Sequence, residues 1–417
     1  MLKYVQNKKE EYLDFVKKLI SIKSLSGQEK DVAECVLEKL KTMKLDDAFI
    51  DGAGNAVGVL RGTGEGPNVV LNGHMDCVPE GDLALWEPFD PYCAAIDGDK
   101  MIGRGTCDMK AGLAAILFSL EAIADWVDKT GKRLPGDIVL CGVVQEEPAV
   151  MFGIKYFMEH TMAEKDLKAD VVYLAESSDG RVVIGQRGKI ELVAKTYGKA
   201  VHSSTPHLGE NALEYMGQII TSVFDHNGIN LESDPYLGDT CITITNCIVK
   251  PGGTLSTIPD YCEIAIDRRY STSMTEEDLL GEFENIFARI RKEKYPDMKA
   301  TIEPRYFETT SWTGYTESVK KWHPAWRVER DNAFVEKTFD ALRAIGQEPE
   351  EGYYLGGTDG SMTCAVHKVP TIIYGCTEFE SCHRPKEWAT VKAMVDTFDG
   401  YVSILSELYG IDRKAFD

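Results

Sequence analysis

Positive charge is scarce in this sequence of 417 residues: 46 Lys and Arg stand against 67 Asp and Glu, a formal net charge of −21. That deficit argues against nucleic acid or an anionic membrane as the main partner, because both select a basic footprint. No run approaches the ~18–20 uncharged apolar residues that cross a bilayer. The opening residues, Met1 to Glu11, hold no apolar stretch of the kind a secretory signal requires. No CxxC pair occurs, and the 11 cysteines are scattered and odd in number. That usage fits reduced thiols in a cytoplasmic protein rather than a disulfide framework. No Gly-x-Ser-x-Gly elbow is present, which disfavours a serine hydrolase. Residues 52–58 are glycine-rich but lack the strand–turn–helix context of a nucleotide site, and read as a hairpin.

At roughly 150 residues per domain, the length corresponds to two or three domains. Two helix patterns open the chain; in the second, Val32, Cys35, Val36, Leu40 and Met43 recur at helical spacing. Apolar runs at 55–60, 69–71, 137–144 and 171–174 read as strands, and 109–123 as a long helix. Strands alternating with helices predict an α/β layer fold. The middle differs: 189–197 alternates as a half-buried strand, 212–224 reads as a helix, 241–249 and 261–270 as strands, and 276–293 as a helix. That order predicts a separate small α+β unit. Residues 306–321, rich in aromatics and hydroxyls, then cross back, and the last hundred residues resume α/β character.

Five short segments carry chemistry. His74-Met75-Asp76 follows the run 69–71. Residues two apart on a strand point the same way, so an imidazole and a carboxylate converge at a strand end, where open α/β sheets place their sites. The pair suits either metal ligation or acid/base work. Gly103-Arg104-Gly105-Thr106-Cys107-Asp108 sets Asp108 at the start of a helix pattern, where by itself it reads as an N-cap. Glu146-Glu147-Pro148 ends a buried strand, where adjacent acids are costly unless paired or ligating. Neighbouring side chains diverge, so one acid is free for a metal while the other faces substrate. Glu176 ends the run 171–174, and Cys382-His383-Arg384-Pro385-Lys386-Glu387 comes near the C-terminus.

In this order, from about residue 13 to 408, the chain resembles the acetylornithine deacetylase/succinyl-diaminopimelate desuccinylase family of co-catalytic zinc metallopeptidases and aminoacylases. The resemblance implies two Zn²⁺ per subunit, with Co²⁺ or Mn²⁺ tolerated by the mixed His/carboxylate donors. It implies that Asp108 bridges the ions, with His74 and Glu176 completing one and Glu147 and His383 the other. Glu146 is then the general base for a metal-bridging hydroxide, and Asp76 orients the His74 ring.

The implied fold is a mostly parallel mixed sheet between helices, at 1–187 plus 304–417, with an inserted ferredoxin-like lid and dimerisation domain at 188–303. Gly198-Lys199-Ala200-Val201-His202-Ser203-Ser204 resembles the family's lid motif, and implies that His202 reaches the other subunit's site to stabilise the oxyanion. Arg269 matches the arginine that grips the substrate carboxylate, with Arg268 the other candidate; Gly357, in Gly356-Gly357-Thr358-Asp359, falls in the substrate loop. The implied partners are a small N-acyl amino acid or short peptide and a second copy of the chain, with no nucleic acid or membrane. The implied reaction is hydrolysis of an amide beside a free carboxylate. Dipeptidase, N-carbamoyl amidohydrolase and silent metal-binding readings remain alternatives. Glu176, where some peptidase branches carry Asp, leans towards acylase or carboxypeptidase chemistry. One departure is the absence of Asn after Gly252-Gly253, where Thr254-Leu255-Ser256-Thr257 follow. Cys77, Cys107 and Cys382 adjoin site residues and read as small buried thiols rather than ligands.

Overall fold

The computed structural model describes residues 1–251, 256–376 and 379–416; Gly252 to Leu255, where the family asparagine is missing, lie outside them. Nine strands form the main sheet. In spatial order they are Asp47–Ile50, Ala56–Leu60, Ile138–Val143, Val69–His74, Val171–Leu174, Thr371–Ile373, Val182–Gln186 and Trp326–Arg327, with Glu351–Tyr354 also on Val182–Gln186. The centre is parallel: Val69–His74 runs with both Ile138–Val143 and Val171–Leu174, and Thr371–Ile373 with the latter. The flanks are antiparallel except for Glu351–Tyr354, which runs parallel to Val182–Gln186. The central strands are buried along their whole length, as strands covered on both faces are, and are apolar apart from Asn72 and His74.

The helix Ala111–Thr130 packs between this sheet and the helix Val391–Tyr409, and every residue from Ala111 to Ala124 is buried. It starts two residues later than the sequence pattern suggests. Asp108 and Met109 depart from helical dihedrals (φ −126°, ψ 95° and φ −136°, ψ 33°), so Asp108 is not a cap and its side chain is released from the helix. Gly131, at φ 66°, ends the helix by giving its N–H to Val127 O at 2.8 Å.

The second unit runs Gly188–Tyr197, Ala212–Phe224, Cys241–Lys250, Tyr261–Tyr270, Glu276–Glu293 and Lys299–Pro304, a strand–helix–strand–strand–helix–strand order. Its antiparallel sheet places Cys241–Lys250 at one edge, then Tyr261–Tyr270, Gly188–Tyr197 and Lys299–Pro304, which is the ferredoxin-like arrangement. Ile190, Leu192, Ile264 and Ile266 face Met216, Ile219, Phe283 and Phe287 in a core separate from that of the large sheet. Thr275 and Asp278 form a capping box at the start of Glu276–Glu293. A short strand from beyond residue 303, Trp322–His323, also joins this sheet on Gly188–Tyr197.

Residues 306–321 do more than cross back. Tyr306–Thr310 and Thr316–Lys320 form a hairpin docked on the large unit. Trp312 Nε1 donates to Gly54 O at 3.3 Å and Thr313 Oγ1 to Gly52 O at 2.7 Å, while the Tyr315 ring packs against Phe152 and Tyr156. Gly54 has φ +101°, and a Cβ there would overlap the Trp312 indole, so this glycine serves the docking. Among the described residues, no helix is long and apolar enough to cross a membrane.

Candidate metal centre

Three adjacent parallel strands converge on one spot. Val69–His74 lies between Ile138–Val143 and Val171–Leu174, with His74 in register with Val143 and Asn72 with Leu174. Neighbouring strands sit about 4.8 Å apart, so residues just beyond their carboxyl ends meet. Those residues are His74, the pair Glu146 and Glu147, and Glu176. Asp108 comes in from the turn before Ala111–Thr130, and His383 from the loop before Trp388–Thr390.

Asp108 stands between two imidazoles. Its Oδ1 is 2.8 Å from His74 Nε2 and its Oδ2 is 3.1 Å from His383 Nε2. His383 Nε2 also lies 3.0 Å from Glu147 Oε2, and His74 Nε2 lies 3.7 Å from Glu176 Oε1. Donor atoms of His74, Asp108 and Glu147 lie within 4.8 Å of one another, as do those of His74, Glu146 and Glu176. The adjacent acids therefore diverge: Glu147 turns to His383, Glu146 to His74 and Glu176. His74, Glu146 and Glu176 are buried, whereas the His383 side chain is 53% exposed and forms the solvent-facing side.

The electrostatics are those of a crowded anionic site. Burial, then the charge of Glu176, pushes the Glu146 carboxyl well above its ordinary value. Burial and Asp108 do the same to Glu176, and raise Glu147 to about 7. Hydrogen bonds that the His383 ring donates to Asp108 and Glu147 raise it to about 10. Burial opposes protonation of His74, yet Glu176 and Asp108 outweigh it and raise that group too. Asp108 is held well below the usual carboxylate range because His383 and His74 outweigh its burial. Four converging carboxylates and two imidazoles fit divalent cations, whose charge relieves their mutual repulsion and whose ligands are of these types.

Asp76 meets the His74 ring mainly through its backbone. The His74 ring is held through Nδ1 by the backbone carbonyl of Asp76 at 2.9 Å, while the Asp76 carboxylate is 3.6 Å from that nitrogen. Its oxygens are already engaged, by the amides of Glu146 (3.1 Å) and Glu147 (3.2 Å) and by Ser26 Oγ (2.6 Å). Asp76 thus sets the turn that carries the acid pair.

Glu387 is a supporting residue that the motif reading passed over. Its Oε1 accepts from the amides of Cys107 (2.8 Å) and Asp108 (3.0 Å), and its Oε2 meets Arg104 Nη1 at 2.5 Å. One buried carboxylate therefore ties the Asp108 turn to the His383 loop. The signal available was Glu387's place four residues after His383, opposite Arg104 of the Gly-Arg-Gly segment.

The remaining site residues sit elsewhere. His202 is on the second unit, exposed, bridged to Thr257, with Nδ1 2.7 Å from Ser204 Oγ. Arg269, on Tyr261–Tyr270, pairs with Asp267 at 2.6 Å. Arg268 is fully buried, its guanidinium on Glu282 at 3.0 and 3.1 Å. Alternation along the strand turns it inwards with Ile264 and Ile266. Gly357 allows the His323 ring to approach, since a Cβ there would come within 2.9 Å of it.

A family model for peptidase family M20/M25/M40 matches residues 70–407. The chain belongs to this family, and with it to the metal-dependent hydrolases. It is 28% identical over 376 residues to the uncharacterized protein YgeY of Escherichia coli K12, covering 89% of this chain and 88% of that one. It is 24% identical over 403 residues to a succinyl-diaminopimelate desuccinylase of Nautilia profundicola, covering 95% and 99%. The crystal structure of aminopeptidase PepT from Bacillus cereus superposes with a TM-score of 0.72 at 20% identity, covering 96% and 98%, and shares the fold.

Proposed function

We propose that this chain hydrolyses an amide bond next to a free α-carboxylate, in an N-acyl amino acid or at the C-terminal end of a short peptide. The observation that carries the reading is Asp108, which turns one oxygen to His74 and the other to His383 with Glu146 on the same cluster. His74, Asp108 and Glu176 would hold one divalent ion, and Asp108, Glu147 and His383 a second, with Zn²⁺ first and Co²⁺ or Mn²⁺ also accommodated. When bound, such a pair makes a nucleophile of water near neutral pH and polarises the scissile carbonyl.

The chain's own residues do the rest. Glu146, buried on the cluster beside His74 and Glu176, is suited to take the proton of the attacking water and deliver it to the leaving amine. Asp76 fixes the backbone from which Glu146 projects. Arg268 is fully buried on Glu282, whereas Arg269 is half-buried on Asp267 and would meet the substrate carboxylate bidentately by exchanging Asp267 for it. Gly357 and its loop would line the other side.

The reading includes a homodimer formed through the unit at 188–303, with 1–187 plus 304–417 as the catalytic domain. Supporting it, Cys241–Lys250 is an edge strand of ten residues with no charged side chain before Lys250, an edge open to pairing. His202 would then complete the neighbouring site as His202 of the partner subunit. The acidic surface and scattered thiols favour the cytoplasm.

The test is a hydrolysis panel of N-acetyl, N-succinyl and N-carbamoyl amino acids beside dipeptides, run with Zn²⁺-, Mn²⁺- or Co²⁺-loaded protein and a chelated control. Chelator-sensitive release from one class is expected and names the acyl side. No release from any class, with two metals bound per chain, would refute the proposed substrate class.

A further inference from the structure

Two thiols lie against the cluster and take no part in the chemistry above. Cys107 directly precedes Asp108 and Cys382 directly precedes His383, and their Sγ atoms are 3.1 Å apart although 275 positions separate them. Cys107 is buried and Cys382 is partly exposed, so an oxidant reaches the pair from the Cys382 side. Cys382 Sγ also lies 3.2 Å from Ser177 Oγ, next to Glu176. A disulfide requires an S–S distance of about 2.05 Å, so closure asks for roughly 1 Å of approach between the two loops. Each loop carries its proposed metal-binding residue at the very next position, and ligand distances in metal sites lie within about 0.2 Å of their set values.

We propose that Cys107 and Cys382 form a reversible disulfide on exposure to a hydroperoxide, and that this bond pulls Asp108 and His383 out of register for metal. The second half rests on those two residues being ligands, as proposed above. With hydrogen peroxide, the Cys382 sulfur attacks one peroxide oxygen, the O–O bond breaks, and the products are Cys382–SOH and one water. The Cys107 sulfur then attacks that sulfur, the S–O bond breaks, and a second water leaves with the Cys107 proton. The two thiols together lose two electrons, and the peroxide gains them. Disulfides of this transient kind are the type that cytoplasmic proteins use for sensing.

Linkage gives the proposal a quantitative form. If the bond weakens metal binding about tenfold, a change of the size found when groups supporting a ligand are altered, bound metal must disfavour the bond by the same factor. Saturating metal then raises the disulfide's reduction potential by about 30 mV.

The test uses the full chain, reduced, with Mn²⁺ as the probe metal because it competes poorly for thiolate. After hydrogen peroxide, free thiols are alkylated, the protein is digested, and cross-linked peptides are identified by mass spectrometry. Mn²⁺ affinity is measured before and after. The expected result is a Cys107–Cys382 cross-link that dithiothreitol reverses, with Mn²⁺ bound at least about tenfold more weakly while it persists. Cys382→Ser should give no cross-link and keep its Mn²⁺ affinity through the same treatment, and Cys107→Ser provides an independent second variant. Recovery of both cysteines as thiols, or as separate sulfinic acids, would overturn the proposal. A cross-link with unchanged Mn²⁺ affinity would overturn the switch. A cross-link in a chain that bound no Mn²⁺ beforehand would sink the metal reading while supporting the disulfide itself.

Discussion

Replacing Glu387 by alanine should damage both stability and metal binding, and the two losses have different origins. The carboxylate makes three contacts: Arg104 at 2.5 Å, and the amides of Cys107 and Asp108 at 2.8 and 3.0 Å. Arg104 is 1% exposed and its Nε already has no partner among the described residues. Removing one partner of a buried ion pair leaves an uncompensated charge and costs about 3–5 kcal/mol. The two amides, left unsatisfied, add about 1–3 kcal/mol each unless water reaches them. Against a total stability of about 5–15 kcal/mol, Glu387→Ala should shift the urea midpoint strongly even in the metal-free chain. Asp108 also loses its backbone anchor, so Mn²⁺ affinity measured by titration calorimetry should fall about ten- to a hundredfold. The double variant Arg104→Met, Glu387→Ala separates the two effects. It removes the stranded charge and should regain much of the stability, but the Asp108 amide stays unsupported and metal affinity should stay low. Restored affinity in the double variant would show that Glu387 acts only through Arg104. Unchanged stability and affinity in the single variant would refute the clamp altogether.

Two further outcomes are expected. Glu146→Ala should abolish turnover while two metals per chain remain bound, and a variant that still turns over would remove Glu146 as the base. His323 is buried, neither ring nitrogen has a partner among the described residues, and burial with Lys189, Arg269 and Lys321 nearby depresses its pKa to about 3. Between the unfolded value near 6.5 and that folded value, the unfolded chain binds the extra proton. Stability should therefore be fully present above pH 6.5 and fall with decreasing pH, by up to about 1.4 kcal/mol per unit from this group. His323→Leu should gain on the native chain as pH drops from 7 to 5, and a difference that stays constant across that range would refute the assignment.

The elements most legible in the sequence were those whose pattern and burial coincide. Val171–Leu174, Ala212–Phe224, Tyr261–Tyr270 and Glu276–Glu293 fall where periodicity placed them, because each buries one apolar face or, for the first, both. The clustering of His74, Asp108, Glu146, Glu147, Glu176 and His383 was legible only through the order of short motifs, since their convergence depends on which strands are neighbours. The hairpin at 306–320 escaped because its stability comes from docking against Gly52 and Gly54, not from its own alternation. The anchor of the His74 ring escaped for a related reason. A backbone carbonyl holds it, and main-chain partners leave no trace in residue identity. Arg268, kept as a candidate for the substrate carboxylate, shares the buried face of its strand with Ile264 and Ile266, where Glu282 meets it.

The cluster draws on both ends of the chain, with the second unit inserted between Glu176 and His383. Just over 300 residues separate His74 from His383, and ribosomes add about 5–20 residues per second. His74 thus leaves the ribosome about 15 s to a minute before His383 exists. During that interval Asp108 and Glu147 have no second imidazole, so a nascent or prematurely terminated chain is an incomplete chelator. The six-residue cluster is complete only when the final tenth of the polypeptide has folded back.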